Sequence, residues 1–401
     1  MIVGIPKETA PGETRVAAVP ETVGRMVADA LDVRVQTAAG ASALLPDEAY
    51  VRAGAKIAAN AGNVYSSADV ILKVNAPSDA EPDEVGLLRR GSVLICPLEP
   101  RTRPERLQKL AAAGVTAFAL DSVPRISRAQ SMDVLSSMAS LAGYKAVLLA
   151  ANELTSLMPM MMTAAGTIKP AHALVIGAGV AGLQAIATLR RLGAVISAAD
   201  VRPAVEEEVA SLGAKFVPMA VEHTEAQTAA GYAADLGEDF YRQEQDILRP
   251  HVERADVVIS TALVPGRGAP VLITDDMVAS MAPGAVVVDL AAPAGGNCTR
   301  TRPDERVEHE GVVILGPTNL PATMPADASL LFARNAARFC KELIADGKLA
   351  IDRDNEVIAA MLATHEGKVV FGQARPEEAK PGEKPAGEQS QARPVQDGSG
   401  T

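Results

Sequence analysis

Residues 173–200, ALVIGAGVAGLQAIATLRRLGAVISAAD, constrain the fold of this chain more than any other stretch. Residues 174–176 are a short apolar run of the kind that fills a buried parallel strand, and a glycine-rich turn follows them. Apolar residues at helical spacing come next, then Gly193 as a helix stop, then a second strand that ends at Asp200. The order strand, turn, helix, strand and acid predicts a βαβ unit that binds a dinucleotide.

The glycines of the turn have different predicted roles. Gly177 permits the tight turn, Gly179 lets the backbone approach a pyrophosphate, and Gly182 lets the helix pack closely on the strand. The predicted binding residues of this turn are Gly177, Ala178, Gly179, Val180 and Gly182. The alternative is an ordinary βαβ unit whose glycines only make a turn, but the elements around the motif favour a binding site.

Asp200 lies close to the spacing of about 20 residues at which an acid reaches the adenosine ribose hydroxyls. A carboxylate at this place repels a 2′-phosphate, so the sequence predicts NAD(H) rather than NADP(H). Val201 and Arg202 follow and are included in the predicted pocket. Two alternatives stay open for Arg202: it neutralises Asp200 and holds a phosphate, or it is an exposed, solvated arginine.

The length of 401 residues favours two domains, and the low aromatic content of 3% with abundant small apolar residues fits close helix-on-sheet packing. Two series of short apolar runs predict an α/β fold of two Rossmann-like, doubly wound parallel-sheet domains joined by long helices. The first series is 2–5, 33–35, 70–74, 93–95 and 115–120, and the second is 174–176, 195–199, 215–217, 257–260, 286–290 and 312–315.

Long helices predicted over 133–156 and 327–345 would bridge the two domains. The predicted division is a discontinuous N-terminal domain of 1–135 plus 327–374, an NAD(H)-binding domain of 136–326, and a tail of 375–401. That tail is rich in proline and polar residues and is predicted to be disordered.

Charge and composition exclude several classes of function. The net charge of −11 argues against nucleic acid as a partner. Three scattered cysteines and five histidines lack metal-ligand spacing, so no metal site is predicted, and the odd cysteine number fits a reducing compartment. No signal peptide and no membrane-crossing segment are expected. The run 158-MPMMMTAAGT-167 is predicted to fill gaps between packed elements.

The loop 124-PRISRAQSMDVLSS-137 concentrates polar side chains just before the first long helix. In the functional interpretation Arg125, Gln130, Ser131 and Asp133 face a cleft between the domains and converge on the nicotinamide half of the cofactor. The alternative is a capped helix start, with Asp133 or Ser131 as the capping residue.

Six longer runs of the sequence carry a resemblance to a known family. They are 5-IPKETAPGETRVA-17, 124-PRISRAQSMD-133, 159-PMMMTAAGT-167, 177-GAGVAGLQAIATLRRLGA-194, 261-TALVPGRGAPVLIT-274 and 288-VDLAAPAGGN-297. They resemble the NAD(H)-binding alpha subunit of proton-translocating NAD(P) transhydrogenases, and alanine dehydrogenase is the near relative in fold. The resemblance extends from the N-terminus to about residue 340.

The resemblance implies roles for individual residues. By it, Arg125, Gln130 and Asp133 form the loop that places the nicotinamide and its ribose, and Gln130 also reaches the nucleotide on a partner subunit. The stretch 229–239 is similar to the family's mobile loop. The alternative interpretation of this stretch is a plain acidic surface loop. The implied catalytic residues are Arg125, Gln130, Asp133 and Tyr232. Further implied nucleotide contacts are Ser131, Ser136, Val201, Gly231, Tyr232 and Leu263.

Transhydrogenases and alanine dehydrogenases differ in their need for a proton-transfer group. An amino-acid dehydrogenase moves a proton as well as a hydride and needs an acid or base beside its substrate. By the resemblance, Pro97 and Pro293 stand where alanine dehydrogenases have a His and an Asp. Arg15 and Lys73, whose counterparts hold a substrate carboxylate, are retained, so a dehydrogenase stays an alternative.

The resemblance thus predicts an NAD(H)-binding subunit that exchanges hydride directly with NADP(H) on a partner subunit, coupled to proton translocation. Membrane-spanning and NADP(H)-binding subunits are the expected partners, with the chain itself a homodimer. It is expected in the cytoplasm, peripheral on the inner face of the membrane through those partners. The alternatives are a stand-alone alanine-dehydrogenase-like enzyme and a non-catalytic NAD(H) sensor.

Overall fold

The computed structural model describes residues 1–78, 81–219, 238–263, 268–345 and 348–372. The predicted tail and the loop residues Gly231 and Tyr232 lie outside these ranges. Within them the predicted fold class is confirmed: the chain contains an eight-stranded and a seven-stranded sheet, both built mainly from parallel strands and flanked by helices.

Strands of three to five residues alternate with short helices over the first 119 residues. The strands are β1 (Ile2–Ile5), β2 (Asp32–Gln36), β3 (Lys56–Ala58), β4 (Val70–Leu72), β5 (Val93–Cys96) and β6 (Thr116–Ala119). The helices are α1 (Pro20–Ala28), α2 (Asp47–Arg52), α3 (Ala61–Ser67), α4 (Glu84–Leu87) and α5 (Pro104–Ala112). The central strands β4, β5 and β6 are buried along their whole length because helices cover both faces of the sheet.

The next segment is the long helix α6 (Val134–Glu153), followed by a hairpin of β7 (Met161–Thr163) and β8 (Gly166–Ile168). The prediction that the methionine run fills interior gaps is wrong for most of it. Met158 is buried, but Met160 and Met162 are 59% and 74% exposed. The hairpin pairs only with itself, so its side chains have no second layer to pack against.

The second sheet follows the glycine-rich segment. Its strands are β9 (His172–Ile176), β10 (Val195–Asp200), β11 (Lys215–Pro218), β12 (Val257–Ser260), β13 (Val286–Asp289), β14 (Arg306–His309) and β15 (Val312–Leu315). The accompanying helices are α7 (Val180–Arg191), α8 (Glu206–Ser211), α9 (Glu238–Val252) and α10 (Asp275–Ser280). The strand order is β11-β10-β9-β12-β13-β15-β14, which reverses direction between β9 and β12. Only β14 runs antiparallel, a short edge strand that the sequence pattern does not predict.

The last described elements return to the first sheet. They are α11 (Pro325–Leu343), β16 (Ile344–Ala345), β17 (Lys348–Leu349), α12 (Glu356–Met361), β18 (Leu362–His365) and β19 (Lys368–Val369). The first sheet has the order β19-β18-β6-β5-β4-β1-β2-β3, with β18 antiparallel to β6. Phe339 of α11 packs edge-on against Phe118 of β6, with ring centroids 5.3 Å apart.

Helix α6 contacts α11 on one side and α7, β12 and β13 on the other. A Cβ at Gly143 of α6 would lie 2.1 Å from the carbonyl oxygen of Ala181 in α7, so this crossing requires glycine. By length and composition, α6 is the one helix among the described residues that could cross a membrane. It packs against α11, α7, β12 and β13, and one such helix is weak evidence for a membrane span, so the expectation that no segment crosses a membrane is not contradicted.

Candidate nucleotide-binding site

A cleft of about 710 Å³ opens at the carboxyl ends of the second sheet. It includes the point between β9 and β12 where the strand order reverses, which is the place where open α/β sheets bind ligands. The predicted site residues that line it are Arg125, Ser136, Gly177, Ala178, Gly179, Val180, Asp200, Val201, Arg202 and Leu263.

The turn between β9 and α7 provides the backbone groups of a phosphate site. Gly177 has φ of +92°, a conformation that favours glycine. A Cβ at Gly182 would lie 1.8 Å from the Gly177 carbonyl oxygen, so only glycine lets α7 begin this close to β9. Gly179 caps α7 without a side-chain partner, and a Cβ there would meet nothing within 4 Å. The first backbone N–H groups of α7 are thus open to an anion.

Asp200 ends β10 and is 7% exposed. Its carboxylate accepts hydrogen bonds from the backbone N–H groups of Ala178, at 2.7 Å, and Arg202, at 2.8 Å. The Arg202 guanidinium donates two more, at 2.9 and 2.8 Å. The interpretation of Arg202 as a solvated arginine is therefore wrong: its side chain is 16% exposed and paired with Asp200. These hydrogen bonds also raise the pKa of Arg202.

The polar loop before α6 divides into residues on the cleft wall and residues beside it. Arg125 and Ser136 line the cleft, whereas Gln130, Ser131 and Asp133 do not. Asp133 caps α6: its carboxylate accepts from the Ser136 backbone N–H, at 2.9 Å, and hydroxyl, at 2.6 Å. This is the capping role that the sequence left open for Asp133. Contact of Gln130, Ser131 or Asp133 with a nucleotide stays a prediction.

The carbonyl of Ser131 fixes this loop to α11, because it accepts a hydrogen bond of 2.8 Å from the Asn335 side chain. Arg128 extends the attachment with a 2.7 Å hydrogen bond to the Asn355 side chain before α12. Nothing in the local sequence signals either contact, since both partners lie more than 200 residues away along the chain.

Sequence reasoning missed a second group of cleft residues. Leu135 at the start of α6 lines the cleft and is 46% exposed. At another wall, Phe240, Tyr241 and Glu244 of α9 line it together with Met219, which follows β11. The spacing of Phe240, Glu244 and Leu248, four residues apart, was the available signal that they share one helix face.

Arg15 and Lys73, which the resemblance relates to substrate-carboxylate binding in alanine dehydrogenases, lie in the part of the chain that contains the first sheet, and both are paired. Arg15 donates hydrogen bonds of 2.7 and 2.6 Å to the Glu13 carboxylate. Burial opposes ionisation of Glu13, but the hydrogen bonds and charge of Arg15 outweigh it and lower the pKa of Glu13 to about 2. Lys73 is 1% exposed and pairs with Glu84 at 2.9 Å and Glu8 at 3.4 Å.

The described residues contain no group of three or more His, Cys, Asp and Glu side chains that could hold a metal ion. All three cysteines, Cys96, Cys298 and Cys340, are buried and unpaired, and burial raises the pKa of each thiol. The glycine turn, the acid at the end of β10 and the cleft that they line form the candidate ligand site.

Comparison with known proteins identifies the family. The model for the alanine dehydrogenase/PNT N-terminal domain matches residues 4–142, and that for the alanine dehydrogenase/PNT C-terminal domain matches residues 146–372. The chain belongs to the alanine dehydrogenase/PNT family. The family resemblance seen in the sequence is confirmed.

The chain is similar both to proteins named NAD(P) transhydrogenase and to proteins named alanine dehydrogenase. It is 47% identical to an NAD(P) transhydrogenase alpha subunit of Rhodospirillum rubrum, over 92% of this chain and 98% of that protein. It is 31% identical to alanine dehydrogenase of Mycobacterium tuberculosis, over 92% of this chain and 95% of that protein. The crystal structure of a Sinorhizobium meliloti transhydrogenase matches with a TM-score of 0.83 and 46% identity, covering 92% of this chain and 100% of that one.

Proposed function

We propose that this family member is the NAD(H)-binding alpha subunit of a proton-translocating NAD(P) transhydrogenase, which exchanges hydride directly with NADP(H) on a partner subunit. The observation that carries the proposal is the cleft in which a glycine turn, an open helix N-terminus and Asp200 adjoin. The high identity to a protein named as a transhydrogenase alpha subunit supports it. The bound nicotinamide would supply or accept the hydride.

The residues of the cleft fit a dinucleotide along its length. The N-terminus of α7 and the turn at Gly177 would bind the pyrophosphate. Asp200 would accept hydrogen bonds from the adenosine ribose. Arg125 and Ser136, which α6 and the preceding loop bring to the wall, would hold the nicotinamide side. Leu135 supplies an exposed apolar surface there that excludes water from the ring.

Hydride transfer between two nicotinamide rings needs no general acid or base at the exchanging carbons. This agrees with the residues that the chain has in place of the proton-transfer groups of alanine dehydrogenases. By the family resemblance, Pro97 and Pro293 replace proton-transfer groups, and neither side chain can carry a proton. The proposed role of the chain is therefore to bind and orient the cofactor rather than to move protons at the substrate.

A stand-alone amino-acid dehydrogenase is the second candidate, because Arg15 and Lys73 are retained and a dehydrogenase relative is 31% identical. The pairing of both cations with Glu13, Glu8 and Glu84 disfavours it, since a substrate carboxylate would have to displace buried carboxylates. Steady NADH formation from NAD and L-alanine by the isolated chain, at about 1 per second or faster, would establish the second candidate.

The proposal extends to the assembly. We propose NADP(H)-binding and membrane-spanning partner subunits, a cytoplasmic position on the inner face of the membrane, and a homodimer. The exposed methionines of the β7–β8 hairpin provide apolar surface for subunit contacts. We also propose the division into 1–135 plus 327–374 and 136–326, which the pairing of β18 with β6 supports.

The deciding experiment separates binding from orientation. Gln130→Asn and Asp133→Asn, measured with the NADP(H)-binding partner, should slow single-turnover hydride exchange about a hundredfold, the effect of misplacing reactants by about 1 Å. NADH affinity of the isolated chain should stay within about threefold, because the phosphate turn and Asp200 provide most of it. Asparagine retains a capping oxygen, so α6 should remain stable.

The matched control is Ser127→Ala, in the same 3-10 helix, Ser127–Met132, and exposed. It should leave both exchange and binding unchanged. If exchange by the Gln130 and Asp133 variants equals that of the wild type, the loop only caps a helix and this assignment of the reaction centre is wrong.

A further inference from the structure

Helix α9 presents an acid where its sequence pattern calls for an apolar residue. Phe240, Glu244 and Leu248 lie four residues apart on one face and are 6%, 3% and 0% exposed. Leu248 belongs to the core beneath the second sheet, whereas Phe240 and Glu244 also line the cleft. Glu244 is therefore a buried carboxyl group that faces the ligand space.

Among the described residues, no side chain or backbone donor makes a hydrogen bond or ion pair with the Glu244 carboxyl. A buried ionised carboxylate without a partner is costly, so the group remains neutral to a higher pH than an exposed glutamate. Burial, and then the negative charge of Asp200, raise the pKa of Glu244 from 4.5 to about 8. At neutral pH the group therefore has both an O–H donor and a C=O acceptor that make no hydrogen bond within the part of the chain that the structure describes.

The position of Glu244 along the cleft points to one part of the ligand. Helix α6, with Ser136, packs on the β12–β13 side of the glycine turn. Met219 follows β11, which lies on the opposite side of the turn, beyond β10 and Asp200. A dinucleotide whose pyrophosphate lies at the turn and whose ribose meets Asp200 places its adenine at this second end, beside Met219, Phe240 and Glu244.

We infer that Glu244 is an adenine-recognition residue, which as a neutral carboxyl group donates a hydrogen bond to a ring nitrogen and accepts one from the 6-amino group. The inference rests on the proposed binding of NAD(H) in this cleft. The adenine edge that carries the amino group presents a donor next to an acceptor, the complement of a neutral carboxyl group. An ionised carboxylate would keep the amino contact and repel the ring nitrogen.

The other charged and titratable groups of this wall come from three elements. Asp200 and Arg202 lie at the end of β10, Glu208 is on α8, and Tyr241 is on α9 itself. Burial, and then Glu244, raise the pKa of Tyr241 above its ordinary value of 10.0, which keeps that phenol neutral below pH 9. Deprotonation of Glu244 would add a negative charge near Asp200.

The test is NADH titration by fluorescence with the full chain between pH 6.5 and 9.5. Because the protonated form binds more tightly, the wild-type Kd should be nearly constant below about pH 7.5 and rise by about tenfold in all between about pH 8 and pH 9.5. Glu244→Gln offers an amide donor and acceptor that do not titrate. It should bind within about threefold of wild type at pH 7 and show no rise.

A second variant and a second ligand identify the contact. Glu244→Leu should bind NADH about tenfold more weakly at pH 7, with no pH dependence, because it makes neither hydrogen bond. The ligand 1,N6-etheno-NAD, whose adenine amino edge is blocked, should lose affinity for wild type relative to NAD but not for Glu244→Leu. The melting temperature of each variant at pH 7 confirms that it is folded.

The outcomes separate this inference from the proposed function. If NADH binds tightly and the wild type and Glu244→Gln have the same pH profile, Glu244 does not recognise adenine although the cleft binds NAD(H). The same conclusion follows if Glu244→Leu discriminates against the etheno ligand as strongly as wild type does. If NADH does not bind at any pH, both proposals fail.

Discussion

Replacement of Asp200 by serine tests how much Asp200 and Arg202 each contribute to the preference for NAD(H) over NADP(H). In the structure the Asp200 carboxylate already accepts four hydrogen bonds, two of them from the Arg202 guanidinium. A carboxylate offers about four acceptor positions. The ribose hydroxyls must therefore displace the guanidinium from at least part of this pair, and we expect Arg202 to swing outward when NADH binds.

The size of the effect follows from that exchange of partners. A hydrogen bond to a charged group contributes about 1.5–3 kcal/mol, and two ribose bonds replace up to two bonds from Arg202. The net contribution of Asp200 is then about one such bond, so Asp200→Ser should weaken NADH binding about 10- to 100-fold. The freed guanidinium can pair with a 2′-phosphate, and NADPH binding should strengthen about tenfold or more.

The assay is fluorescence titration with NADH and NADPH of wild type, Asp200→Ser, Arg202→Ala and the double variant. The gain in NADPH affinity should disappear in the double variant, since Arg202 provides it. The serine variant also leaves the Ala178 N–H without its acceptor, so melting temperatures must show that each variant is folded at the assay temperature. Equal NADPH affinity in Asp200→Ser and the double variant, or tight NADPH binding by wild type, would refute this reasoning.

Three further predictions concern stability and activity. Gly143→Ala should lower the free energy of unfolding by about 1–3 kcal/mol and weaken NADH binding, because the new Cβ meets the Ala181 carbonyl beside the phosphate turn. Gly24→Ala, in α1 with its nearest neighbour at 3.9 Å, is the matched control and should be neutral or stabilising in urea unfolding. Lys73→Met should cost about 3–5 kcal/mol at pH 8 by leaving Glu84 unpaired in a buried site. That deficit should shrink as the pH falls, because the pKa of a buried carboxyl group without its lysine is raised and its protonated form needs no partner; an unchanged deficit at pH 5 would contradict this. Spectrophotometry should detect no NADH formation from NAD and L-alanine by the isolated chain.

Local patterns are sufficient to predict the elements of the fold that depend on neighbours in sequence. The run from β9 through α7 to Asp200 is predictable because strand period, glycine geometry and helix spacing act over a few residues. The helices α6 and α11 are predicted to within three residues at each end for the same reason. Very short strands such as β3 and β19 are missed, since two or three residues carry too little pattern.

The features of the site that the sequence does not predict depend on tertiary contacts. The pairing of Arg202 with Asp200 requires one side-chain conformation among many, which the sequence pattern cannot select. Glu244 lies in a helix segment, EDFYRQEQDILRPHV, that is mostly polar, so its spacing of four residues from Phe240 and from Leu248 is the one weak signal of its burial. The prediction for the hairpin methionines is wrong because an apolar run predicts burial only when a second layer covers it.

The two sheets use the same kind of ion pair with opposite consequences for binding. Around the first sheet, Lys73 and its two carboxylates are nearly inaccessible, so an incoming anion would have to enter a closed, satisfied network. At the second sheet, the Asp200–Arg202 pair borders an open cleft, and the guanidinium can move into it as a ligand hydroxyl takes its place. The exchange is favourable because the two hydrogen bonds from the ribose hydroxyls displace about one from the guanidinium. Accessibility of the pair, rather than the presence of charge, thus separates Lys73, which is closed to a ligand, from Arg202, which borders the cleft.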